Sequence, residues 1–131
     1  MTKIYNFVWF LFFCFSSFAE ERWSQFLAPT PLSKAAVVED WPRFNGLSDN
    51  AKSLESPLLQ KWPAEGPSLV WSLEKGDGYA SPAIMGDILV LFHRINGREV
   101  AEGRNAISGA PLWEYSYPVD YQDRYGYSAG P

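Results

Sequence analysis

Two tryptophans, Trp71 and Trp113, stand in short strand-like runs at residues 69–74 and 112–117, and 42 residues separate them. That separation lies within the roughly 40–45-residue period of a β-propeller blade. What lies between must then supply the strands and turns of one blade, and the turn chemistry supplies them. Residues 80–85 lead into Gly86-Asp87, and Ile88-Leu89-Val90-Leu91-Phe92 follows as an unbroken apolar run suited to a strand buried on both faces. Glycine at the first central position suits a two-residue hairpin turn. The run extends to Ile95, where Asn96-Gly97 offers the two residues that most readily take positive φ in a type I′ turn. A third strand is expected from Arg98 to about Ala106, and Ser108-Gly109-Ala110-Pro111 turns the chain into a fourth at 112–117. Pro111 has no N–H for a ladder, which fits a strand start.

The expected fold is therefore all-β: about one four-stranded antiparallel blade, 80–117, plus one strand, 69–74, of a neighbouring or closing blade, with a loop at 118–131. A single blade cannot bury both of its faces, so it requires neighbours. The third strand is the weakest of the four signals.

Upstream the texture differs. Lys3 precedes an apolar stretch at 7–15, and Ser17-Phe18-Ala19 places small residues at the two positions that a signal peptidase inspects, so residues 1–19 read as a cleaved secretory signal. Residues 4–18 include Asn6, Ser16 and Ser17 and fall short of the roughly 20 apolar residues of a membrane span. An uncleaved anchor is the alternative. Lipid attachment at Cys14 is disfavoured by the bulky Leu11-Phe12-Phe13 before it. Export to a periplasmic or extracellular location follows, with no stable membrane span.

Cleavage after Ala19 would remove the only cysteine, excluding a disulfide framework and cysteine-ligated metal. It would leave ten basic against fifteen acidic side chains, a net charge of −5 with no basic run, which argues against nucleic acid as a partner. Residues 20–40 mix Pro29, Pro31, Ser33 and small residues without a period and read as a flexible, extended leader. Residues 41–68 are punctuated by Trp and Pro and read as an irregular cap on the domain edge.

Candidate sites are few. Gly126-Tyr127-Ser128-Ala129-Gly130 has the form of a nucleophile elbow but lacks the strand, helix and downstream histidine that chemistry needs. Gly76-Asp77-Gly78 begins like a dinucleotide-binding turn, yet it joins two strand-like runs and lacks the third glycine. His93, the one histidine, has no partner for a metal and reads as structural or solvent-facing at a strand end. Asp120, Asp123 and Arg124, with Tyr121, Tyr125 and Tyr127, sit in a loop of the kind that lines the end of a propeller channel. Asp123, Arg124 and Tyr127 are the ligand-face candidates, and an ion-paired solvated loop covering a neighbouring blade is the plainer reading. No Asp-rich loop with alternating oxygen ligands assigns calcium here, and no catalytic residue emerges.

Trp41-Pro-Arg-Phe-Asn-Gly46, Lys61-Trp-Pro63 with Gly66-Pro67, Leu69-Val-Trp71, Gly78-Tyr-Ala-Ser-Pro82, Ser108-Gly-Ala-Pro-Leu-Trp113 and Asp123-Arg-Tyr-Gly-Tyr127 occur in an order and spacing that resembles the start of a pyrroloquinoline-quinone-like β-propeller repeat protein. The resemblance implies an eight-bladed propeller exported to the periplasm or cell surface of bacteria. It also implies a repeat ending in which a tryptophan docks between blades against the turn of its neighbour, a role that falls on Trp71, Gly109 and Trp113. Ser108 keeps the hydroxyl of the family turn, Asn105 stands where the family has aspartate, and Gly103 departs from the pattern together with Glu102 and Arg104, whose charge weakens a strand that the resemblance implies to be apolar.

Members of that family include quinoprotein alcohol dehydrogenases, which bind the quinone (PQQ) and calcium, and outer-membrane assembly scaffolds, which bind neither. The resemblance thus implies either a non-catalytic scaffold for protein or polysaccharide partners or a quinone-dependent oxidoreductase. The carboxylate base, cation ligands and stacking groups of the second would have to lie beyond residue 131. The scaffold is the favoured expectation, with this chain as its N-terminal part, the remaining blades as partners and no cofactor held by these residues.

Overall fold

The computed structural model describes residues 22–121, 123–126 and 130–131. The secretory signal expected at 1–19 lies outside them, as does Tyr127. The described residues form six strands and no helix: β1 (Trp23–Gln25), β2 (Trp71–Leu73), β3 (Ala83–Met85), β4 (Ile88–Ile95), β5 (Arg98–Asn105) and β6 (Pro111–Pro118). They make two antiparallel sheets, a ribbon β1-β2 and a four-stranded sheet in the sequential order β3-β4-β5-β6.

The turns set the register. Gly86 takes φ 55°, and Met85 pairs with Ile88 across a two-residue hairpin. Asn96 and Gly97 take φ 50° and 73°, and Ile95 pairs with Arg98, as a type I′ turn requires. The third turn is held by a side chain: Asn105 Oδ1 accepts the Ile107 N–H at 3.1 Å, the Ser108 N–H at 2.8 Å and the Ser108 hydroxyl at 3.0 Å. This is the local competition between side chain and backbone that suits Asn to turns.

With register fixed, alternation assigns two faces. Leu89, Leu91 and His93 of β4 share one face with Val100, Glu102 and Arg104 of β5, and all six are buried. The β1-β2 ribbon lies on this face. The other face carries Met85, Ile88 and Val90, with Trp113, Tyr115 and Tyr117 from β6, and there Met85, Tyr115 and Trp113 are 64%, 65% and 46% exposed. Among the described residues, one face of the sheet is thus covered and the other open. The two edges differ as well. Trp41 exchanges backbone hydrogen bonds of 2.9 Å in both directions with Ile84 and so closes the β3 edge, whereas β6 pairs only with β5.

Three expectations need amendment. Part of the segment read as a flexible leader, Trp23–Gln25, is a strand, pairing antiparallel with β2 so that Ser24 stands opposite Ser72 and the two tryptophans lie at opposite corners, facing Leu73 and Gln25. β5, expected to be weakened by charge, is paired with β4 along its whole length, and its charges are matched within the strand, Glu102 and Arg104 bonding to each other. The departure at Gly103 also has a use: a Cβ there would lie 2.1 Å from Trp113 Nε1, so glycine is what lets the indole lie across β5. A bulge beside this contact offsets the β5-β6 pairing between Gly103 and Arg104.

Two substitutions separate backbone from packing effects. Nothing lies within 4 Å of a Cβ at Gly97, so Gly97→Ala is expected to cost only the left-handed backbone penalty, about 1–2 kcal/mol in urea denaturation. Gly103→Ala is expected instead to push the Trp113 indole into water, read as a red shift in tryptophan emission.

Candidate functional site

The densest functional geometry lies where the ribbon meets the sheet, and it has an aromatic end and a charged end. At the aromatic end, Trp71 Nε1 donates to the Ala106 carbonyl at 3.3 Å and Trp23 Nε1 donates to the Ser108 carbonyl at 3.2 Å. Both indoles thereby satisfy their one polar group on the β5-β6 turn while their rings cover it. Gly109, at φ 73°, lies directly beneath: a Cβ would meet Trp23 Nε1 and Trp71 Cδ2 at 2.5 Å each. The structure brings Trp71 and Gly109 together and leaves Trp113 apart, against Gly103. Trp23 is the partner that sequence reasoning missed, and the Trp-Ser dipeptide at 23–24, repeated at 71–72, was the available signal.

At the charged end, His93 is fully buried, so of the two alternatives, structural or solvent-facing, the first describes it. Its Nδ1 accepts the Gly76 N–H at 2.9 Å, which assigns the ring proton to Nε2. Nε2 lies 2.9 Å from Glu102 Oε1, off the N–H axis, a charge–dipole contact rather than an aligned hydrogen bond. Glu102 is the hub. Arg104 bonds its Oε2 through Nε at 2.9 Å and through a terminal nitrogen at 2.7 Å, and Arg22 approaches both oxygens at 3.2 and 3.3 Å. Arg22 also donates to the Glu74 carbonyl at 2.9 Å, and Arg104 to the Gly109 carbonyl at 3.0 Å. One carboxylate therefore ties β5 to the end of the ribbon where Arg22 and Glu74 meet.

The protonation states follow from this environment. Burial holds the His93 imidazole below its ordinary value, with Arg22 and Lys75 acting in the same sense and Glu102 opposing them. For Glu102 burial works the other way, but Arg104 and Arg22 outweigh it and hold the carboxyl below its usual range. His93 is neutral and Glu102 ionised at neutral pH.

In the loop read as a ligand face, Tyr127 lies outside the described residues, and Asp123 and Arg124 share one turn. Tyr121 accepts a 2.7 Å hydrogen bond from Arg94 at its carbonyl and stacks under the same guanidinium at 5.9 Å. Arg124 lies 5.1 Å over Tyr125, and the Asp123 carbonyl accepts the Gly126 N–H at 3.0 Å in a turn. Asp77 pairs with Arg94, and the Pro131 carbonyl accepts the Tyr79 N–H, so the Gly76-Asp77-Gly78 segment is occupied by backbone pairing. An open cleft of about 1030 Å³ lies between the cap and the sheet, lined by Val37, Trp41, Leu54, Ile84 and Ile107. Among the described residues no group of three or more His, Cys, Asp or Glu could hold a metal ion, and no helix is long and apolar enough to cross a membrane.

Glu102→Ala is expected to cost about 3–5 kcal/mol in chemical denaturation, because it leaves Arg104 buried without its carboxylate. The pH dependence has a definite sign. Stability carried by Glu102 is complete above its unfolded value of 4.5 and is lost as pH falls through the lowered folded value. Acid titration of the Glu102→Ala chain should lack that component.

Compared with family models, with curated proteins and with solved structures, the chain matches none.

Proposed function

We propose that this chain is the opening part of an exported pyrroloquinoline-quinone-like β-propeller repeat protein that acts as a non-catalytic binding or assembly scaffold. The observation that carries the reading is Trp71 seated on the turn that holds Gly109, with β3, β4 and β5 of a sequentially ordered four-stranded sheet lying between them in the chain. In a propeller each blade receives its predecessor on one face and its successor on the other. The ribbon bearing Trp71 stands for the predecessor. Trp113, 42 residues later and at 46% exposure, holds the corresponding position for the successor, beside the open face with Met85 and Ile88.

The scaffold role rests on what the described residues spend their polar groups on. His93, Glu102, Arg104 and Arg22 bond to one another and to the backbone, and Arg94 is engaged by Glu99 and Tyr121. Such a fold presents loops and blade edges to protein or polysaccharide partners, with the exposed Tyr121 and Tyr125 among the groups at one end.

Trp113→Ala tests the reading in two settings. In the 131-residue chain it is expected to cost under about 1 kcal/mol, since the indole is half in water. In a product that carries the following repeats it is expected to cost about 3–5 kcal/mol, as for a buried tryptophan. A small cost in both would overturn the propeller assignment. Visible absorption from the purified product would indicate bound quinone and replace the scaffold by the oxidoreductase.

A further inference from the structure

The ribbon's charged end contains a titratable group placed so that one proton changes which bonds are possible. His93 is fully buried on the covered face of the sheet, and its Nδ1 lone pair is the acceptor for the Gly76 N–H at 2.9 Å. Gly76 lies three residues after the β2 end of the ribbon, and it fits against β4 without room to spare: a Cβ there would lie 2.2 Å from the Arg94 carbonyl. We propose that His93 is a proton-operated latch, in which uptake of one proton at Nδ1 breaks the bond to Gly76 and frees the β1-β2 ribbon from the sheet.

The geometry leaves the protonated ring nowhere to put its new N–H. Nδ1–H would face the Gly76 N–H donor to donor, and Nε2 keeps its contact with Glu102. The charges around the ring compound this. From the ribbon come Arg22 and Lys75, from β5 Arg104 and the single buried carboxylate of Glu102. On β4 itself the neighbouring Arg94 is paired to Glu99 on the opposite face, and on β6 Glu114 stands opposite Glu102 but exposed. One carboxylate already shared by two guanidiniums is poorly placed to neutralise an imidazolium as well, in a site without water access. Leaving the pocket restores both hydration and the ordinary basicity of the ring.

The sign follows from linkage. His93 takes its proton more readily in the open form than in the closed form, so closure is complete above about pH 6.5 and weakens as pH falls from there toward the lower value of the closed form, by at most about tenfold per unit for one proton. The β4-β5 pairing does not involve the Nδ1 bond and stays closed. This latch is independent of whether further repeats follow, because every group in it belongs to the described residues.

Hydrogen exchange of the full chain at pH 7.5 and 5.5, corrected for the intrinsic rate, is the test. Protection at 23–25 and 71–76 is expected to fall, by up to about tenfold, at the lower pH while 89–93 and 100–104 keep theirs. His93→Asn retains an acceptor near the Nδ1 position but cannot take up the proton, and its ribbon protection is expected to be flat between the two values. Unchanged wild-type ribbon protection, or an equal loss in the variant, would overturn the latch. Because His93 is the one histidine, its imidazole signal in an untagged wild-type chain gives a second reading that needs no variant. It should titrate below 6.5 and in step with ribbon exchange. Titration with the ribbon still protected would also overturn the proposal.

Discussion

The seating of two indoles on one turn is the contact from which the rest of the arrangement follows. Trp23 and Trp71 come from segments almost fifty positions apart, yet both place Nε1 on carbonyls between Asn105 and Gly109. That requires a turn with accessible carbonyls and no side chain in the way. Asn105 shapes the turn through three hydrogen bonds to its Oδ1, and Gly109 leaves the space the rings fill. Once the ribbon lies there, Leu89, Leu91 and Val100 are withdrawn from water, and burial of each such side chain is worth about 1.5–3 kcal/mol.

The same covering creates an electrostatic problem, because the face it seals carries His93, Glu102 and Arg104. A buried ion pair contributes little net stability unless its remaining bonds are all made. Here Glu102 spends both oxygens on two arginines, and those arginines spend their spare N–H groups on the Glu74 and Gly109 carbonyls. The network thus reports on register: a slip of β5 by one residue would turn Glu102 to the open face and leave Arg22 without a carboxylate. Charge in this strand trades stability for definition of one pairing.

Much of the sheet was legible because its turns are written in residues with few alternatives. Gly86, Asn96-Gly97 and the Asn105-to-Gly109 turn fix three hairpins, and the strands between them follow within a residue or two of the expected bounds. The ribbon was half legible. Residues 71–73 carry a strand pattern, but Trp23–Gln25 is a three-residue strand in a proline-punctuated stretch, too short for any period to show. Pairing of Glu102 with Arg104 was hidden for another reason: two residues apart on a strand, they share a face, but only the ribbon makes that face an interior. The candidate site was legible in Trp71 and Gly109 and not in His93, whose burial depends on Gly76 and Arg22 arriving from a distance.

Gly109→Ala, followed by hydrogen exchange, tests the central claim most directly. The added methyl would sit 2.5 Å from both indoles at φ 73°, so it should unseat the ribbon. The left-handed backbone penalty falls on the turn whether or not the ribbon is seated, so the clash with the indoles is what acts on the ribbon. The account predicts that protection at 23–25 and 71–73 falls while β4 and β5 keep theirs. Ribbon protection unchanged by the methyl group would contradict it.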